Sequence, residues 1–216
     1  AFLALPDGRI LASWANHGAV KPKELYKHVW WRRTTGPGDI RAWTPTESVI
    51  LPSSATYTNL FRLTAERGRI YNFNRSIGFN PNYLVSDDDG RTFRYGGRLL
   101  SWPHPAKSDP KSSGQTGGGR PYVKYASNGR DTIHVLTTED HPRAYYNGIY
   151  HGFIRGGTLH GSDGKAVAPL SQTAETAVKP DQLTPVYVGD AEHVAWTVDM
   201  HLDAQERPVA IFSVQV

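Results

Sequence analysis

"SDDDGRTF", residues 86–93, sets a serine, an aspartate, a glycine, a threonine and an aromatic in the spacing S-x-D-x-G-x-T-[WF]. The order describes a turn that satisfies itself. The Asp88 carboxylate can accept from backbone N–H groups inside the turn, Gly90 can take the positive φ of a tight reversal, and Phe93 can pack under the next strand. Alternating residues around it read as strands at about 59–64, 69–75, 82–86 and 93–100. The octapeptide then joins the third strand to the fourth of one antiparallel unit. Its charges could instead hold calcium, but the spacing suits capping better, so the stretch is read as a fastener and no metal is assigned to it.

Outward from this turn, a strand–turn–strand pattern recurs in "FLALPDGRILASWANHG" (2–18), "LFRLTAERGRIYNFNRS" (60–76), "VKYASNGRDTIHVLTTEDH" (123–141) and "MHLDAQERPVAIFSVQ" (200–215). The residues opening each second strand, Ile10, Ile70, Ile133 and Val209, lie 60, 63 and 76 positions apart. Repeats of that size made of short strands predict an all-β chain, a β-propeller of four-stranded antiparallel blades. The blades fall at 1–52, 57–102, 120–168 and, incomplete, 192–216, in one domain over 1–216. About three and a half blades are counted, as expected of a partial propeller cut from a larger ring. "TTGPGDIRAW" (34–43) is a degenerate counterpart of the fastener, with Trp43 in place of the aromatic, and "RGGTLHGSDG" (155–164) is a weaker one. "PHPAKSDPKSSGQTGGG" (103–119) reads as a mobile connection between blades.

Composition agrees with short strands and tight turns: the 216 residues include 21 Gly, 15 Pro, 6 Trp and 11 Tyr. The absence of cysteine excludes disulfides and thiolate metal sites. No apolar run approaches the ~20 residues of a membrane span. The opening "AFLALP" has no basic residues before it and meets "PDG" at once, so it is read as a strand and not as a signal peptide. A net charge of +4 fits ordinary solubility or a polyanionic partner.

In a blade of this kind the loops after each second strand share one face. Taken in order they deliver Asn16 and His17, then Arg75, then "EDHPRAYYNGIYH" (139–151) with His141, Arg143, Tyr145 and Tyr150. His28, His104, His160, His193 and His201 lack that placement and are read as structural or solvated; His134 alternates into the sheet as a satisfied core histidine. The converging set suits one chemistry. Cleaving a uronate polymer by β-elimination requires neutralising the carboxylate so that the adjacent C–H becomes acidic, a task for arginine. A neutral His or a Tyr can take the proton and another can protonate the departing oxygen. Arginines beside a tyrosine would lower its pKa.

The S-x-D-x-G-x-T-[WF] turn is the Asp-box, and with "LPDGRILASWANHG", "TTGPGDIRAW", "LVSDDDGRTF" and above all "GRPYVKYASNGRDTIHVLTTEDHPRAYYNGIYHGFIRGG" the chain resembles BNR-repeat propeller proteins related to the ulvan lyases. The resemblance implies a propeller of about seven blades that cleaves an acidic, uronate-containing, ulvan-like polysaccharide by β-elimination. It implies His and Tyr as base and acid, carried here by His17, His141, Tyr145 and Tyr150, with Arg75, Arg143 and Asn16 binding substrate. It leaves open which His or Tyr has which role. No metal and no cofactor are expected; the partner is the acidic polysaccharide, with no nucleic acid and no membrane, and the full-length protein is expected to be a monomer. Secretion, or a periplasmic location, is inferred from the size of the polymer. Two rival readings stand beside the lyase: a sialidase-like Asp-box glycoside hydrolase, which "GRPY" (119–122) only faintly supports, and a non-catalytic glycan-binding propeller.

Overall fold

The computed structural model describes residues 1–17, 23–103, 106, 108–114, 120–173 and 178–216. The chain is all-β, built of antiparallel sheets of the propeller-blade kind, and divides into two compact units, Ala1–Gly97 and Arg98–Val216. Among the described residues no helix is long and apolar enough to cross a membrane.

The first unit holds two four-stranded sheets. The first runs in the order β1 (Phe2–Ala4), β2 (Ile10–Ala15), β3 (His28–Arg33), β4 (Glu47–Ile50); the second runs β5 (Thr56–Leu63), β6 (Arg69–Arg75), β7 (Pro81–Ser86), β8 (Arg94–Arg98). All four strands expected around the Asp-box are present, and "AFLALP" forms β1 as read. Alternation then decides the packing, because successive side chains leave a strand on opposite faces. Leu11, Val29 and Trp31 from one face of the first sheet meet Leu60, Ile70, Leu84 and Phe93 from the second in a single core.

The Asp-box is the fastener of that core. Ser86 Oγ donates to Asp88 Oδ1 at 2.8 Å and accepts from the Gly90 N–H at 2.9 Å. Thr92 donates to Asp88 twice, from its N–H at 2.9 Å and from its hydroxyl at 2.6 Å. Burial acts to raise the Asp88 carboxyl, but the bonds from Thr92 and Ser86 outweigh it and hold the group below the usual carboxylate range. Phe93 goes into the neighbouring sheet, edge-on to Trp31 with ring centroids 5.0 Å apart, and not under a following strand of its own. Trp31 Nε1 donates back to the Arg91 carbonyl at 3.4 Å. Gly90 sits at φ 73°, where a Cβ would come within 2.8 Å of Leu11. The degenerate counterpart in the first sheet closes through a Thr34–Trp43 bridge. Trp43 does not take the place of Phe93 there: it stays half-exposed, with the Arg32 guanidinium 4.7 Å over its ring.

The second unit holds β9 (Val123–Ser127), β10 (Thr132–Thr137), β11 (Ile149–Arg155), β12 (Thr158–Gly161), β13 (Ala166–Pro169) and β14 (Thr184–Tyr187) in one sheet, and the hairpin β15 (Val194–Leu202) and β16 (Pro208–Gln215). The first four are the expected blade strands. β13 and β14 are additions the sequence does not announce, since a four-residue run containing Pro carries too little alternation to read. The turn "RGGT" joins the third strand to the fourth as a two-residue hairpin with Gly156 and Gly157 both at positive φ, which replaces the Asp-box. Ala126, Leu136, Ile149, Ala195 and Met200 form the core between sheet and hairpin. On the surface, Arg130 clasps Glu206 through both nitrogens at 2.9 and 2.8 Å.

On one face of the larger sheet His134 Nδ1 lies 3.1 Å from His151 Nε2, and His151 Nδ1 lies 2.7 Å from Ser162 Oγ. His134 is therefore half-buried and bonded, as a core histidine should be. Burial, reinforced by His134, pushes His151 down to about 4; burial and then Arg155 lower His134.

Two stability measurements follow from these contacts. Gly90→Ala is expected to cost about 2–3 kcal/mol, because an unfavourable φ adds to a clash with Leu11. Gly38→Ala, also at positive φ but with open space around it, is expected to cost only about 1 kcal/mol. Equal melting-temperature losses would show that the close approach of Gly90 to Leu11 is unimportant. The unfolded chain protonates His151 near pH 6.5, whereas the folded protein resists until about 4. Stability is therefore expected to fall by about 3 kcal/mol as pH drops through that window. Denaturant titrations of His151→Gln should show a smaller fall between pH 6.5 and 4; an unchanged fall would remove His151 as its source.

Candidate functional site

In the first unit the site end of the sheets is built around a tyrosine. His17 follows β2 and is exposed; its Nε2 lies 3.1 Å from the Tyr57 hydroxyl, with ring centroids 5.2 Å apart. Arg75 closes β6, where it pairs with Thr56 of β5, and its guanidinium carbon lies 4.8 Å over the Tyr57 ring. His17 and Arg75 are thus brought to one aromatic hub, with partly exposed Asn16 beside His17 in sequence. Tyr57 itself was not singled out from the sequence. It precedes the alternating run of the strand and looks like a linker residue.

Its placement has a local cause. The register of β5 against β6 shifts between Thr56 and Asn59, and within this bulge Tyr57 takes φ 59° and is 52% exposed. Thr58 Oγ1 donates to the Ser13 carbonyl at 3.0 Å and Asn59 Nδ2 to the Tyr57 carbonyl at 2.9 Å, which pins both flanks. A bulky residue at positive φ costs about 1–3 kcal/mol. The cation over the ring returns about 0.5–1 kcal/mol at such an exposed position. Beneath the site the two sheets are tied by Asn72 Nδ2 donating to Ser13 Oγ at 2.8 Å.

In the second unit the 139–151 loop is organised by a carboxylate. Glu139 is 1% exposed. It accepts from the Gly148 N–H at 2.7 Å and the Tyr150 hydroxyl at 2.9 Å, and it pairs with the Lys111 ammonium. Lys111 also lies 5.1 Å over the Tyr145 ring, and the Tyr145 hydroxyl donates to Asp109 at 3.4 Å. The structure thus places Tyr145 and Tyr150 in a buried, acid-bonded cluster and not beside arginines. Burial, then the carboxylates Asp109 and Glu139, push Tyr145 up; burial, then Glu139, do the same to Tyr150. The lowering expected of an arginine neighbour is reversed at both.

His141 and Arg143 stand on the outside of that loop. They line a cleft of about 830 Å³ with Tyr146, Trp196, Ser113 and Glu192. The His141 ring lies against Tyr122 and Trp196, at 5.6 and 5.3 Å. Its Nδ1 accepts from the Arg143 N–H at 3.1 Å, so a neutral ring carries its proton on Nε2. Arg143 is exposed, while its carbonyl accepts from Ser113 Oγ at 2.5 Å. Of the remaining histidines, His28 stacks on Trp30 and His160 on Phe153, His193 and His201 each bond an aspartate, and His104 lies outside the described residues. Among the described residues no group of three or more His, Asp or Glu is arranged to hold a metal ion.

Comparison with known proteins agrees with this architecture. The family model described as "BNR repeat-containing family member" matches residues 1–215. No curated protein matches the sequence. Two solved structures are similar. One is described as a polysaccharide lyase, PL25 ulvan lyase, bound to -[GlcA(1-4)Rha3S]-; it is 20% identical with a TM-score of 0.68. The other, described as a PL25 ulvan lyase, is 20% identical with a TM-score of 0.67. In both cases 99% of this chain and 50% of that chain are covered, so this chain spans half the length of the structures it matches. At this identity the likeness is one of fold.

Proposed function

The chain belongs to the BNR repeat-containing family, and from that premise we propose that it is a carbohydrate-active propeller protein acting as a lyase on a uronate-containing polysaccharide. The observation that carries the reading is the contact of Tyr57 with both His17 and Arg75. Arginine is the always-charged, bidentate partner that a uronate carboxylate needs. Holding that carboxylate as a neutralised pair makes the C5 proton acidic. The Tyr57 oxygen is the group placed to take it, because its own proton can pass to His17 Nε2 at 3.1 Å.

The electron pair of the C5–H bond then becomes the C4–C5 double bond as the C4–O bond breaks. The leaving oxygen takes a proton from the Tyr57–His17 pair, which restores both groups. Tyr57 therefore takes over the proton transfer that the sequence suggests for Tyr145 and Tyr150, and those two residues, with Glu139 and Lys111, hold the 139–151 loop. His141 and Arg143 are assigned to glycan binding in their cleft, the first as an Nε2–H donor, the second as a partner for a carboxylate or another anionic group. Polymers of this kind are too large to import, so the reading places the protein outside the cytoplasm.

The test is ultraviolet absorbance of the protein mixed with ulvan and other uronate polymers. The unsaturated uronate of elimination is expected to accumulate; reducing ends without it would indicate hydrolysis, and binding with neither would indicate a glycan-binding module. Tyr57→Phe and His17→Ala are each expected to lower kcat by about 10²–10⁴-fold, and Arg75→Lys to lower kcat/KM by about 10²-fold. A Tyr57→Phe protein with full activity would contradict the assignment.

A further inference from the structure

Among the described residues, Tyr57, Arg67, Phe79, Asp89 and Glu206 are the non-glycine positions with positive φ. Arg67, Phe79, Asp89 and Glu206 lie in the turns that close their hairpins, where the reversal itself asks for that conformation, yet Phe79 is the bulky aromatic among them, a residue type that seldom takes it. Tyr57 lies in no such turn. Tyr57 and Phe79 are the two aromatic members of the set, and they are 52% and 53% exposed. Tyr57 occupies the bulge next to Thr56, the partner of Arg75, and Phe79 stands four residues past Arg75 in the loop that leaves β6.

One exposed apolar side chain is ordinary on a protein surface. An aromatic ring held outward at positive φ is not, because the backbone strain persists only where the surroundings over-determine it. The 76–80 loop is over-determined. The Phe79 N–H donates to the Ser76 carbonyl at 2.7 Å and the Ser76 N–H to the Asn80 carbonyl at 3.0 Å. Asn80 Nδ2 donates to the Gly78 carbonyl at 3.0 Å, and Asn82 Nδ2 donates to the Ile77 and Asn80 carbonyls at 3.3 and 2.7 Å. Both asparagines are buried. The loop is a hydrogen-bonded stand that carries an exposed ring four residues past Arg75 in the chain.

We propose that Phe79 is a sugar-stacking, specificity-determining residue of the Arg75 site, taking the C–H face of the pyranose that adjoins the uronate held by Arg75. The inference rests on the reading of that site as a uronate site. A pyranose offers a face of C–H bonds bounded by hydroxyls, and an aromatic plane covers that face while leaving the hydroxyls in water. Phe79 carries no proton and pairs with no charge, so it contributes equally to ground-state and transition-state binding. Its loss should appear in KM and leave kcat alone.

The experiment compares Phe79→Gly, Phe79→Trp and the unaltered protein on ulvan, with melting temperatures and gel retardation by immobilised ulvan measured alongside. Glycine removes the ring and also relieves the positive φ, so Phe79→Gly is expected to melt no lower than the parent. Its KM is expected to rise about tenfold with kcat within about twofold, and its retardation to weaken, while Phe79→Trp restores both. An unchanged KM, or a fall in kcat and melting temperature that Trp does not restore, would overturn the proposal. Should the parent cleave no uronate polymer, the lyase reading fails by itself. Retardation then decides for Phe79: weakened in Phe79→Gly it supports the stacking role, and equal or absent in both proteins it ends it.

Discussion

The edge-on contact of Phe93 with Trp31 ties the two sheets of the first unit together, and the proposed site lies at their opposite end. His17 leaves the first sheet, whereas Tyr57 and Arg75 leave the second. Their meeting therefore requires two separately hydrogen-bonded sheets to hold one relative position. The Asp-box supplies that constraint. Asp88 fixes the turn by accepting from Thr92 and Ser86, the fixed turn aims Phe93, and the absence of a side chain on Gly90 lets Leu11 close over it. Asn72 and Ser13 add a buried polar tie nearer the site, where a fixed hydrogen bond sets register better than an apolar contact can.

With the sheets held, local strain becomes usable. The core of Leu11, Ile70, Leu84 and Phe93 holds the sheets while a bulge and two aromatic residues stand at positive φ nearby in the chain. Those departures from regular strand geometry occur at the ends of β5 and β6, away from the fastener. The result is a division of labour along the strands: one end closes and anchors the sheet, and the other carries the side chains of the proposed site. The second unit anchors its long loop differently. There a buried carboxylate gathers a backbone N–H, a phenol and an ammonium, which places His141 and Arg143 on the outside of a rigid support.

The strand pattern was legible because its signals are local. The Asp-box is contained in eight consecutive residues, and alternation over β5, β6 and β7 needs no information from elsewhere in the chain. His17, Arg75, His141 and Arg143 were legible as candidates for the same reason: each ends or follows the second strand of a repeat. Tyr57 was not, because a bulge breaks alternation without leaving a mark in composition. The burial of Tyr145 was hidden by sequence distance, since its partners Asp109 and Lys111 come from the stretch read as a mobile connection, and Tyr150 bonds Glu139, whose partner Lys111 comes from the same stretch. Trp43 shows the converse limit. It stands at the matching place in a turn, yet it stays half-exposed with the Arg32 guanidinium over its ring.

Nuclear Overhauser contacts between the His17 and Tyr57 rings, measured in the parent protein and in Phe93→Ala, probe that dependence directly. If the fastener positions the site, the contacts are present in the parent and lost or sharply weakened in a Phe93→Ala protein that remains folded. Ring contacts of undiminished strength in folded Phe93→Ala would mean that His17 and Tyr57 find each other without the Asp-box.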